Sequence, residues 1–114
     1  NPLFLTDAIE ILKFINDVSM PNVGLLLDFG HLAVSSNAQG WSKTKFIDIV
    51  GEHVRCLHLS NNDGLQDNNQ PINKNSWFLP FLSEFRHCEI VIEVYNIEPE
   101  EMLNQMSIVQ SRIV

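Results

Sequence analysis

The sequence carries no cluster of basic residues. Its seven lysines and arginines (Lys13, Lys43, Lys45, Arg55, Lys74, Arg86, Arg112) are dispersed among fourteen acidic residues, for a formal charge of −7. Nucleic-acid binders draw much of their affinity from phosphate contacts on a basic face, so nucleic acid is a disfavoured partner. No apolar run approaches the ~20 residues needed to span a bilayer, so no membrane segment is expected. No CxxC pair occurs, which argues against a cysteine zinc site. The only two cysteines, Cys56 and Cys88, lie in or beside apolar runs. They are expected to be buried, reduced core thiols, in keeping with a cytoplasmic protein. The first residues, Asn1 to Thr6, lack the basic and long apolar regions of a signal peptide. They also lack an initiator methionine, so the chain is expected to be processed or a fragment.

What is present is ordinary for one globular domain. Over 114 residues, 45% are hydrophobic and 18% charged, and mean hydropathy is zero. Thr6 is a candidate N-cap, with Asp7 in the first turn of a helix in which Ala8, Leu12, Ile15 and Val18 share one face until Pro21 ends it. Val23 to Leu27 is a continuous apolar run stopping at Asp28, which suggests a strand covered on both faces. Phe29 to Gly40 reads as a loop, with at most a short helix. A second helix is expected from about Ser42, with Phe46, Ile49 and Val50 on one face and Gly51 as its C-cap. Val54 to Leu59 is a second strand. Ser60 to Ser76 is a long polar loop, of the kind that is usually functional or disordered.

A third helix is expected from about Trp77 to Phe85, with Pro80 in its first turn. Glu89 to Tyr95 is a β-branched third strand. Pro99 opens a last helix with Met102, Met106, Val109 and Ile113 as its apolar stripe. Strands alternating with helices predict an α/β fold with a parallel sheet. Three strands make either a small three-layer fold or the latter part of a (β/α)8 barrel, which needs ~250 residues in full. Open edges on so small a sheet would favour self-association as a homo-oligomer.

Each strand ends in a residue able to bind a metal: Asp28, His58 and Glu93. Parallel α/β folds place their binding face at the C-terminal strand ends, so these three side chains are expected to converge there. A carboxylate, an imidazole and a carboxylate suit a divalent ion of the manganese, magnesium, iron or zinc kind. Plainer roles exist for each. Asp28 could cap the following segment, and His58 could be a satisfied core histidine. Glu93 is harder to place otherwise, because a buried unpaired carboxylate costs several kcal/mol. His31 follows Asp28 closely enough to reach the same point. Asp63 and Asp67, in the polar loop, could orient ligands or hold a second ion, or form Asx-turns. Trp41 and Trp77 are candidates for packing or for an aromatic wall beside a sugar ring.

The segment Val23 to His31 resembles the D-x-x-H element that follows an apolar strand in the xylose isomerase-like barrels. That superfamily holds sugar phosphate isomerases and epimerases and the endonuclease IV (AP endonuclease family 2) enzymes. His58 to Gly64, followed by Asp67, resembles its next element, and Ile92-Glu93-Val94 resembles the glutamate on its last strand. The three elements occur in the family's order and span nearly the whole chain. The resemblance implies a single partial domain, residues 1–114, that forms strands six to eight of a TIM barrel. It implies metal ligation by Asp28, His58 and Glu93, with Mn2+, Mg2+ or Zn2+ as cofactor. It also implies proton transfer by Glu93 and His31, and a sugar or sugar phosphate contacted by His31, Asp63, Asp67 and Trp77. The isomerase branch takes a further glutamate from an earlier strand, so the chain alone is expected to be inactive. The nuclease branch expects a histidine two residues after Asp67, where this chain has Asn69. A barrel-derived domain that binds without catalysing is the non-enzymatic alternative.

Overall fold

A computed structural model describes residues 7–114. The candidate cap Thr6 lies outside the described residues. Asp7 does the capping, its carboxylate accepting from the backbone N–H groups of Ile9 (2.8 Å) and Glu10 (3.1 Å). Helix α1 (Ala8–Val18) follows, and it closes on Ser19 in the left-handed conformation. The remaining elements are β1 (Leu25–Asp28), α2 (Phe29–Gln39), α3 (Lys43–Val50), β2 (Val54–Leu59), β3 (Glu89–Ile92) and α4 (Pro99–Ile113). The strands form one parallel sheet in the order β1-β2-β3. The fold is therefore mixed α/β with a three-stranded parallel sheet. No helix of the described residues is long and apolar enough to cross a membrane.

Several expectations need correction. Phe29–Gln39 is a full helix, not a loop. Its turn-forming residues are tolerated because Asp28 caps its start, Gly40 closes it with φ 73°, and Phe29 and Leu32 anchor it in the core. The segment expected as a third helix is a 3-10 helix over Leu79–Phe85. Pro80 sits in its first turn, where a missing N–H costs little, so the proline does not account for the tighter winding. The third strand ends at Ile92 rather than Tyr95, although the Glu93 N–H still reaches the Leu59 carbonyl (2.9 Å). In α4 the buried side is carried by Gln105 and Val109, and Met106 is exposed. Gln105 is tolerated inside because its Oε1 accepts from the Ile72 N–H (3.0 Å), tying the long loop to the helix. Cys56 and Cys88 are free thiols, but each is only half-buried.

The expectation that the sheet is covered on both faces also fails within this chain. Arg55 is an extra residue in the β1–β2 register, placing Leu25 opposite Val54 and Leu26 opposite Cys56. Gly24 allows this, since a Cβ there would stand 2.4 Å from the Arg55 Cγ. On one face Leu27, Leu57 and Leu59 join Phe29, Ile47, Val50, Phe78, Leu79 and Leu82 in the core. The opposite face carries Leu26, Cys56, His58 and Val91, and it is open: Leu26 is 53% and Val91 44% exposed. The apolar run is thus continuous in sequence while only alternate residues meet the helices.

Candidate metal centre

The open face ends in polar residues. Asp28 closes β1 and pairs with His58 on β2, which puts both side chains on the same face. Val91 pairs with His58 on the other side, and Glu93, two residues further, projects the same way. The His58 Nδ1 lies 3.2 Å from the Glu93 Oε2 and 3.9 Å from the Asp28 Oδ2. One donor atom from each of Asp28, His58 and Glu93 falls within a mutual distance of 4.8 Å. All three are half-buried. The convergence expected from the strand ends is therefore what the geometry shows.

Two of these groups are carboxylates, and the imidazole lies between them. Among the described residues, no lysine or arginine pairs with Asp28, Asp67 or Glu93; each ion pair at this rim uses a histidine. Ligands about 2.1 Å from a common ion stand roughly 3–4 Å apart. Small rotations of the three side chains would reach that spacing, so the donor set fits a divalent cation in chemistry and in reach.

Asp28 does two things at once. Its Oδ1 accepts from the His31 N–H (2.9 Å) as the N-cap of α2, while its Oδ2 faces the rim. His31, in the first turn of α2, is more exposed; its Nε2 contacts the Asp67 Oδ2, and its Nδ1 is 3.6 Å from the Asp28 Oδ2. Gly30 makes this approach possible. A Cβ there would lie 2.5 Å from the Ser60 Oγ, 3.1 Å from an Asp67 oxygen and 3.2 Å from an Asp28 oxygen. The loop is held across the top of α2 by Asn62, whose amide donates to the Gly30 carbonyl (2.9 Å). It is closed by a pair of backbone hydrogen bonds between Asn61 and Gln70 (2.9 and 2.8 Å).

The other two candidates make their contacts elsewhere. The Asp63 Oδ1 accepts from the Leu65 and Gln66 N–H groups (2.8 and 3.2 Å), and those bonds hold its carboxyl below the usual carboxylate range. Trp77 sits edge-on to Phe29 (5.4 Å), Phe78 and Phe81, with the Lys43 ammonium 4.4 Å above its ring. Its role is packing and a cation–π contact rather than a wall of the rim. Trp41 stacks on Phe46 at 5.0 Å.

Comparison with protein-family models, curated proteins and solved structures gives no match.

The rim's geometry is what speaks for a function. It includes residues the sequence did not single out. The Tyr95 hydroxyl donates to the Glu93 Oε1 (3.3 Å), and the Glu93 charge beside it, with that bond, pushes the phenol up from its ordinary value. Asn69, noted in the sequence only for standing where the nuclease branch has a histidine, donates its amide to the Glu93 carbonyl (2.8 Å). Gly30, between Asp28 and His31 at a helix start, was a signal available in the sequence.

Proposed function

We propose that the rim of Asp28, His58 and Glu93 binds one divalent cation, and that it belongs to a sugar or sugar phosphate isomerase or epimerase acting on a hydroxy-carbonyl substrate. The observation that carries this is the meeting of two carboxylates and an imidazole, from three separate strand ends, with no arginine or lysine to neutralise them among the described residues. The open sheet face supports the barrel part of the reading. In a closed (β/α)8 barrel, of which this chain would supply the last three βα units, that face lines the interior.

A divalent ion at this rim supplies Lewis-acid polarisation of a carbonyl and the neighbouring hydroxyl. The chain's own residues do the rest. Asp28 and His58 hold the cation side of the site, fixed by the α2 cap and by strand register. Glu93 takes a proton from the carbon beside the carbonyl and returns it to the adjacent carbon. His31, steadied by Asp67, exchanges a proton with a substrate oxygen. Asn69 spends its amide on the Glu93 main chain, so a one-cation site fits better than the multi-metal arrangement of a nuclease.

Calorimetric titration of the purified chain with Mn2+ tests the cation. One site is expected, weakened but still measurable in Asp28→Asn and in Glu93→Gln; absence of binding by the wild-type chain, or binding unaffected by both changes, overturns the reading. Solvent-deuterium incorporation into aldoses and ketoses by the full gene product tests the chemistry. Exchange that depends on Mn2+ and on Glu93 is expected, and a product that binds Mn2+ yet exchanges no carbon-bound proton would leave a cation-binding domain without isomerase activity.

A further inference from the structure

Glu93 lies beyond the last residue of β3, so the sheet alone does not fix it. Its N–H is the last to reach β2, at the Leu59 carbonyl (2.9 Å). Beyond Leu59 the chain leaves β3 and pairs with Gln70 through Asn61, so no β2 backbone group meets the Glu93 carbonyl. Asn69 fills that place. Its Nδ2 donates to the Glu93 carbonyl (2.8 Å), and its own carbonyl accepts from the Tyr95 N–H (3.3 Å). One residue thus meets both the Glu93 carbonyl and the Tyr95 N–H, as a neighbouring strand would. To do so it takes φ 51°, a left-handed conformation that asparagine tolerates better than most side chains. The adjacent Asn61–Gln70 bridge anchors it to the end of β2.

We propose that Asn69 is a positioning residue for the Glu93 ligand, a surrogate strand that sets where the Glu93 carboxylate meets His58 and Asp28. The inference rests on the metal reading of the rim and adds to it. Tyr95, held by the same clamp, brings its hydroxyl to the Glu93 Oε1, while His58, placed by β2, meets Oε2. Partners of this outer kind typically change metal affinity by roughly 10–100-fold.

The test is Mn2+ affinity of the purified chain, read from the electron paramagnetic resonance signal of free Mn2+. Asn69→Gly keeps access to the left-handed backbone and loses the amide. Asn69→Asp keeps the shape and replaces the donor with an acceptor. Both are expected to weaken Mn2+ binding by about tenfold. In a Glu93→Gln background, Asn69→Gly is expected to have no further effect, because it acts through Glu93. A loop that is merely loosened would lower affinity again in that background, and this would overturn the proposal. Wild-type affinity in both Asn69 variants overturns it as well, leaving the metal reading standing. No binding by the wild-type chain removes the metal reading itself, and the clamp's role with it.

Discussion

Asp28 serves as both helix cap and cation ligand, and two substitutions separate these roles. Asp28→Asn and Asp28→Ala remove the same charge from beside Glu93, so relief of carboxylate repulsion is common to both. They differ in the cap: asparagine caps about as well as aspartate, whereas alanine leaves the His31 N–H without the bond it makes at 2.9 Å. That difference is typically ~1 kcal/mol. With an unfolding entropy of roughly 2.1 cal/mol/K per residue over 114 residues, it corresponds to a Tm gap of about 4 °C. Thermal unfolding followed by circular dichroism without metal should place Asp28→Asn at or above the wild type, with Asp28→Ala below Asp28→Asn by that gap. Mn2+ titration should show both variants impaired. The double role is refuted if the two variants melt together, since the cap would then carry no energy, or if Asp28→Asn binds Mn2+ like the wild type.

The chain has one tyrosine, so phenolate absorbance reports Tyr95 alone. Its titration midpoint should lie above 10.0, and Glu93→Gln should return it toward that value. The associated stabilisation is present below the ordinary value and is lost as pH rises through the raised one. Gly30→Ala should cost about 1–3 kcal/mol despite better helix propensity, because its Cβ would meet the buried Ser60 Oγ at 2.5 Å. Adding Ser60→Ala should recover part of that loss in urea unfolding. Phe29→Ala, in a site fully closed to solvent, should cost roughly 3–5 kcal/mol, a large share of a domain's stability. For Asp63, the Leu65 and Gln66 amide shifts should titrate with a midpoint below 3.8. The turn it closes is intact above its ordinary value and opens as pH falls through the lowered one.

The parallel α/β plan, the strand cores and the three ligand-type residues were legible because they depend on local pattern. Apolar runs ended at polar residues, turn formers separated them, and Pro99 marked the start of α4 where it was expected. The helix over Phe29–Gln39 was not legible. Its propensity is poor, and what holds it is a cap from Asp28 and the burial of Phe29 and Leu32 against distant residues. Trp77 and Asp63 were legible as side chains with two plausible roles, and only their neighbours chose between them. Gln105 replaced Met106 on the inner side of α4 because a loop N–H needed an acceptor, a demand with no local trace.

By itself, then, the sequence determined which residues would stand at the strand ends and that their chemistry suits a cation, since strand periodicity and residue type are properties of short segments. Only the tertiary structure decided that Asp28, His58 and Glu93 face one point, that Asp67 reaches His31, and that Asn69 closes on Glu93. Those outcomes depend on the pairing of strands and on a loop laid over a glycine, which are contacts between residues far apart along the chain.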